Sequence, residues 1–315
     1  MSKQRKLLIL SVVSFLLSMH NPLYAVECPK ELNLVSYETQ NHDGHSNYSH
    51  DVVTNNIKNL VKEYDIGRNT PVLDIGGGYG NTTYALMRLG FKNIYFNDLD
   101  KDNLACASRY LKKSFHKESS SIRYIAGDIN SDKVIHQLPG NHFGLVVIRN
   151  VLQFFTAEQL NTLLISLDSK MKKNGYLYIV VENGTSSKML HTIDAQVIAY
   201  DNAIKKLHPN AEQAQNIMDA AVRDYYPGFN CRVSDYFAFP SKEKRLFLFS
   251  CNRPGKNTYD GHVVYAQLYS PLLLTKILDK YSFKTITTQI HIGNGNNDGI
   301  TSDNRDYFVL IAKKM

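Results

Sequence analysis

Pro71-Val-Leu-Asp-Ile-Gly-Gly-Gly-Tyr-Gly-Asn-Thr-Thr83 is an apolar run that breaks into four glycines and resumes as a helix start. Val72, Leu73 and Ile75 have strand character, and the positions from Thr82 to Leu89 recur at helical spacing until Gly90. Between them, Gly76, Gly77, Gly78 and Gly80 make a turn that, without Cβ atoms, can close tightly beside a ligand. The stretch reads as strand, glycine loop, helix. A dinucleotide fingerprint G-x-G-x-x-G beginning at Gly76 or Gly78 requires glycine at 81 or 83, where this chain has Asn81 and Thr83.

Moving outward, the segment from Asn93 to Asp98 is a second strand ending in an acid. Asp98 stands near the offset at which a carboxylate accepts ribose hydroxyls, and its rival role is a helix N-cap, which Asp100 or Asp102 can fill instead. Ile122 to Ala126 is a third strand running into Gly127-Asp128-Ile129, which is either a ligand-reading loop or a generic Gly-Asp turn. The nearly all-apolar run from Phe143 to Phe155 has the composition of a strand buried on both faces of a parallel sheet. Arg149 and Asn150 close it, at the carboxyl end where open α/β sheets bind ligands. Thr156 and Gln159 form a capping box ahead of a helix whose Leu160, Leu163, Leu164, Leu167 and Met171 share one face. Lys173-Asn-Gly175 ends that helix, and Tyr176 to Val181 is a fifth strand. Five strands alternating with helices predict a doubly wound α/β sheet.

With Asp74 at the first strand's end, the glycine stretch reads D-x-G-x-G-x-G, and here the chain resembles the class I S-adenosylmethionine-dependent methyltransferases. The resemblance extends to Phe143–Phe155, with Gly144 in place of the usual acid and Gln153 in place of the usual histidine, and to the Tyr176–Val181 strand. It covers about 70–182 and 270–313, where Ser270-Pro271 opens a helix and strands at 283–292 and 306–311 pair as the family's terminal hairpin. It implies a seven-stranded, mostly parallel Rossmann-like sheet and S-adenosyl-L-methionine as cofactor. The cofactor contacts it implies are Asp74, Gly76, Gly77, Gly78 and Gly80 at the methionine half, Asp98 at the ribose, Asp128 and Ile129 at the adenine, and Leu99, Arg149 and Asn150 as further contacts. It implies methyl transfer needing no obligatory catalytic side chain, and none is assigned; His191, Tyr225 and Tyr226 are only possible bases. A non-catalytic binding protein on the same fold is the alternative. An aminopropyltransferase would need acids where Arg149-Asn150 stands, and the absence of an Asn/Asp-Pro-Pro-Tyr motif argues against the nucleic-acid and glutamine amino-methyltransferases that use it.

Residues 26–69 read as an N-terminal cap segment and a helix from Asp51 to about Tyr64, with Val52, Ile57, Leu60 and Val61 facing the sheet. The histidines of 42–50 are irregularly spaced in a glycine-containing loop, so no metal site is assigned. Residues 183–269 match nothing recognisable. Two helical patterns, about 188–207 and 211–226, precede an aromatic-rich segment, and the whole reads as a largely helical insert lying over the strand ends as a substrate lid. Its aromatics either line a pocket or form the insert's own core.

Residues 1–25 have the layout of a secretory signal peptide: Lys3, Arg5 and Lys6, an apolar run from Leu7 to Met19, Asn21-Pro22, then Ala25. The run is short and broken by serines, so no stable membrane span is expected after cleavage. Without those three cations and no acids, the formal charge falls from +7 to +4. That balance, without a clustered basic stripe, gives no reason to expect a nucleic-acid partner. Cys28, Cys106, Cys231 and Cys251 contain no C-x-x-C pair, which argues against zinc. In an oxidising compartment Cys231 and Cys251 are the favoured pair, and Cys106 reads as a small buried hydrophobe. A glycan at the Asn81 sequon would crowd the glycine loop, so bacterial export fits better than a eukaryotic secretory route.

Overall fold

The computed structural model describes residues 50–182, 266–291 and 307–315 continuously, together with Cys28, the segments 37–38, 45–46, 230–238, 245–252, 258–259 and 262–263, and positions 216 and 219. The chain divides into two units, Met1–Glu31 and Leu32–Met315, and everything from residue 37 onward belongs to the second. Residues 1–25, expected to be a signal peptide, most of the histidine loop, His191, Tyr225 and Tyr226 lie outside the described residues.

Helix α1 (His50–Glu63) is followed by β1 (Val72–Ile75), α2 (Asn81–Arg88), β2 (Ile94–Asp98), α3 (Lys101–Phe115), β3 (Arg123–Ala126), α4 (Asp132–Ile135), β4 (Phe143–Arg149), α5 (Ala157–Lys170) and β5 (Met171–Glu182). After the insert come α6 (Pro271–Leu278), β9 (Phe283–His291) and β10 (Tyr307–Lys314), the insert itself contributing β6 (Asn230–Ala238), β7 (Arg245–Asn252) and β8 (Ala266–Leu268). The main sheet has seven strands in the order β9-β10-β5-β4-β1-β2-β3. β5, β4, β1, β2 and β3 are parallel, whereas β10 inserts antiparallel between β5 and β9. This is the doubly wound sheet with terminal hairpin that the sequence predicts.

Side-chain alternation divides the core between the two faces. Leu73 and Ile75 of β1 pack with Leu160, Leu163, Leu164 and Leu167 of α5 and with Leu273, Leu274 and Ile277 of α6. Val72 and Phe96 join Val53, Ile57 and Leu60 of α1, Ala85 and Leu86 of α2, and Leu104 and Leu111 of α3 on the other face. Because both faces are covered, every residue of β1 and β2 is buried, Asp74 and Asp98 included. Truncating one such leucine to alanine would cost about 2–5 kcal/mol.

The caps follow the sequence closely. Thr156 Oγ1 accepts the Gln159 N–H while Gln159 Oε1 accepts the Thr156 N–H, and Ser270 caps α6 with Pro271 at its first turn. Gly144 is closely packed: a Cβ there would lie 2.5 Å from Thr70 Cγ2, so that side chain would have to shift.

One expectation, the reading of Cys106, is corrected, and the insert gains an element. Its described segments include a three-stranded antiparallel sheet in the order β8-β7-β6, beyond the stretches where helices were expected. Its strands carry the β-branched and aromatic residues that favour a pleated surface, such as Val233, Tyr236 and Phe237 in β6 and Phe247 and Phe249 in β7. The helices predicted at 188–207 and 211–226 lie almost wholly outside the described residues. β8 packs against the turn Leu152–Phe154 and β6 against α5, which seats the inserted sheet beside the carboxyl end of β4. Cys106, read as a small hydrophobe, is buried but disulfide-bonded, as is Cys28. Cys231 and Cys251 stand directly opposite each other across β6 and β7. Among the described residues no helix is long and apolar enough to cross a membrane.

Candidate functional site

The carboxyl ends of β4, β1, β2 and β3 lie side by side, so the residues that follow them share one rim. Three contacts stitch the rim together. The Gly78 N–H donates to Asp98 Oδ2 at 2.7 Å, the Gly77 N–H to the Asn97 carbonyl at 3.1 Å, and the Gly127 N–H to the Asp98 carbonyl at 2.9 Å. Arg149, ending β4, reaches Thr82 on α2 at 3.4 Å. Asp74, Asp98, Asp128 and Asn150 therefore stand at or next to the carboxyl ends of neighbouring strands.

Their environments differ. Asp74 is fully buried beneath the glycines, and its Oδ2 accepts the Thr83 hydroxyl at 2.7 Å. Burial pushes its carboxyl up to about 6, against the opposing pull of the Thr83 hydrogen bond and the Arg149 guanidinium. Asp98 is also raised by burial, and is opposed by its bonds from the Asp100 N–H, the Asn103 amide and the Gly78 N–H. Oδ1 takes two of these donors and Oδ2 only one, which leaves Oδ2 able to accept a ligand hydroxyl. The N-cap of α3 is Asp100, whose carboxylate accepts the Asp102 N–H, so Asp98 is spared that task. Asp128 is exposed, and its Oδ1 accepts the Asn130 N–H at 2.9 Å.

The two apolar rim residues differ as well. Leu99 is 62% exposed, an uncovered side chain just past β2, whereas Ile129 is packed into the core beside Val134 and Leu138. The glycines are set partly by packing. A Cβ on Gly76, which has φ +63°, would lie 2.4 Å from Val151, and one on Gly77 would lie 1.8 Å from the Phe96 ring. Asn150 holds φ +55°, a left-handed conformation that asparagine tolerates and that turns the chain off β4. Asn81 opens α2 with only 8% exposure, so a sugar has no room there.

Sequence reasoning missed Asn97. Its buried amide donates to the Ile125 and Gly127 carbonyls, each at 3.0 Å, and so ties the Asp128 loop to β2. An asparagine in a hydrophobic strand next to an acid is the signal that was available. Thr83, Asn103 and Val151 likewise act through partners that only the fold brings near. Among the described residues no group of His, Cys, Asp and Glu could hold a metal ion.

Residues 73–179 match the family model described as a methyltransferase domain. This stretch, about a third of the chain, runs from β1 through most of β5 and so includes the glycine loop and the rim acids Asp74, Asp98 and Asp128. No curated protein matches the sequence. Among solved structures the chain is similar to a glycopeptide N-methyltransferase, MtfA, complexed with S-adenosyl-L-homocysteine, at 15% identity over 83% of this chain and 90% of that one, TM-score 0.49. It is similar to a SAM-dependent methyltransferase from Methanosarcina mazei at 15% identity over 81% and 97%, TM-score 0.48. A magnesium protoporphyrin IX methyltransferase from Synechocystis PCC 6803 aligns at 14% identity over 84% and 83%, TM-score 0.47.

Proposed function

We propose that this protein transfers the methyl group of S-adenosylmethionine to an acceptor, a small molecule or a protein. The observation that carries the reading is the hydrogen-bonded rim, where the glycine loop is locked to Asp98 and flanked by Asp74, Asp128 and Asn150. In this reading Asp98 takes a ribose hydroxyl on Oδ2, Asp128 takes the adenine amino group, and Leu99 covers the ring with Ile129 supporting it from below. The glycine loop, Asp74, Arg149 and Asn150 receive the methionine end. Asp74, buried and titrating near neutrality, is a carboxylate that a cationic ligand would hold ionised.

S-adenosylmethionine supplies a methyl group on sulfonium, a carbon with its leaving group already attached. The protein's share is alignment and the exclusion of water, which can account for several kcal/mol of acceleration. A general base is required only where the acceptor must lose a proton during attack. The inserted sheet beside β4 is the element that would close over the acceptor.

We also infer export by a bacterium. The layout of residues 1–25 supports it, and so do two disulfide-bonded cysteines, a state favoured in oxidising compartments. Since the cofactor is made in the cytosol, an exported enzyme of this kind would work in the cytoplasm of another cell.

Calorimetry with S-adenosylhomocysteine and S-adenosylmethionine tests the cofactor, and transfer of a tritiated methyl group into cell extracts tests turnover. Saturable binding with labelled product is expected. Failure to bind either ligand sinks the reading, and binding with no labelled product from any extract would favour a non-catalytic binding protein instead.

A further inference from the structure

Gln153 lies in the turn Leu152–Phe154, three residues past Asn150, and its side chain is only 6% exposed. Its Oε1 is sealed from solvent and accepts no hydrogen bond. An unpaired buried carbonyl of this kind is destabilising, and a leucine or methionine of similar size would avoid that cost. Such a group needs an explanation in the folded protein's work rather than in its stability.

Its placement supplies one. Val151, two residues earlier, packs its side chain onto Gly76, so the segment that carries Gln153 rests directly on the glycine loop. The same turn is also in contact with β8 of the inserted sheet. The turn that carries Gln153 thus touches both the glycine loop, through Val151, and the element that would cover the acceptor.

We propose that Gln153 is the residue that orients the methyl acceptor, its Oε1 accepting a hydrogen bond from an amine N–H or a hydroxyl O–H on the nucleophile. This rests on the methyl-transfer reading above and deepens it by naming the acceptor's chemistry. A carboxamide does not titrate near neutral pH, so it removes no proton; it fixes the N–H or O–H and thereby aims the nucleophile's lone pair. The acceptor's nitrogen or oxygen forms the new bond to the methyl carbon as the carbon–sulfur bond breaks, the electron pair leaves with sulfur, and the acceptor's surplus proton passes to water. A thiolate, which has no N–H or O–H to donate, gains nothing from Gln153.

The test compares wild type with Gln153→Leu and Gln153→Glu, using S-adenosylhomocysteine affinity, thermal stability and methyl transfer to aniline, phenol and thiophenol as probes. Gln153→Leu should melt no lower than wild type and bind S-adenosylhomocysteine within about twofold of it. It should lose at least about tenfold in transfer to aniline and phenol, the size of one hydrogen bond, while transfer to thiophenol is unchanged. Gln153→Glu, which keeps an acceptor oxygen, should recover part of the aniline rate. The proposal is overturned if Gln153→Leu melts several degrees lower, if it weakens S-adenosylhomocysteine tenfold, if the aniline-to-thiophenol ratio does not move, or if the wild type is inert toward all three probes. Failure of the wild type to bind S-adenosylhomocysteine at all would instead sink the methyl-transfer reading.

Discussion

The backbone N–H of Gly78 donates to Oδ2 of Asp98 at 2.7 Å, so the glycine loop and the acid at the end of the neighbouring strand form one hydrogen-bonded unit. Asp98→Ala would strand three donors, the part-buried N–H groups of Gly78 and Asp100 and the buried Asn103 amide, and remove the oxygen proposed to take the ribose hydroxyl. It should weaken S-adenosylhomocysteine by about 10–100-fold, the range for a charge-assisted hydrogen bond, and also lower the melting temperature. Asn103→Ala removes one partner of Oδ1 and leaves Oδ2 bonded to Gly78. It should lower stability by about 1 kcal/mol with affinity retained within about threefold. Calorimetry and melting curves on both variants separate the two effects; equal loss of affinity in both would mean that Asp98 acts only as scaffold.

Asp74 carries a pH signature. Its carboxyl is raised from 3.8 to about 6 by burial. The folded state therefore binds this proton more tightly than the unfolded chain does. The resulting stabilisation is complete below about pH 4 and is lost as pH rises through 6. Asp74→Asn, neutral at every pH, should be roughly 2–3 kcal/mol more stable than wild type at pH 7.5 and should lose that advantage towards pH 4. Denaturant melts across that window check the sign. A bound cation beside Asp74 would favour its ionised form, so wild-type affinity for S-adenosylmethionine should rise between pH 5 and 7 and that slope should vanish in Asp74→Asn.

Phe96 alone is enough to require glycine at position 77. A Cβ at Gly77 would meet that ring at 1.8 Å. Gly77→Ala should cost about 1–3 kcal/mol, the usual penalty for overpacking, and perturb binding only through the displaced loop. Adding Phe96→Leu, which trims the ring, should return most of the S-adenosylhomocysteine affinity lost by Gly77→Ala alone. Non-additivity of at least about 1 kcal/mol in the double-mutant cycle is the expected readout, and simple additivity would show that Gly77 serves the ligand directly.

These cases mark what was legible in the sequence. D-x-G-x-G-x-G, the strand-end acids and the caps of α5 and α6 are local features, each fixed by a few adjacent residues, and the structure places them as read. Packing between elements distant in sequence leaves no such trace. Nothing adjacent to Gly77 announces Phe96, 19 residues on, and nothing near Gly76 announces Val151, 75 residues on. The inserted sheet left no local trace for a related reason: its aromatic run fits a core, a pocket lining or a strand face equally well, and β6, β7 and β8 become a sheet only through mutual pairing. Cys106 shows the same limit, since burial and disulfide bonding draw on the same residue type.

Cys28 and Cys106 are both disulfide-bonded, so neither should react with iodoacetamide in the native, unreduced protein. Reduction should lower stability by about 2–4 kcal/mol, the usual loss for a native disulfide. Alkylation of either residue without prior reduction, detected by mass spectrometry of protein exported from bacteria, would contradict the assignment and remove one support for export.

Leu99 offers the sharpest separation of binding from folding. With 62% of its surface exposed just beyond Asp98, it makes too little contact for its loss to matter to the free protein. Leu99→Ser should therefore leave stability within about 0.5 kcal/mol of wild type. If an adenine ring covers the side chain, the same substitution forfeits about 1–2 kcal/mol of apolar burial in the complex, or roughly 5–30-fold in affinity for S-adenosylhomocysteine. The loss should be similar for adenosine alone and absent for methionine, because only the nucleoside half reaches this residue. Titration calorimetry with the three ligands decides it: an unchanged adenosine affinity, or a fall in melting temperature of several degrees, would take Leu99 out of the site and leave its exposure to be explained by a different partner.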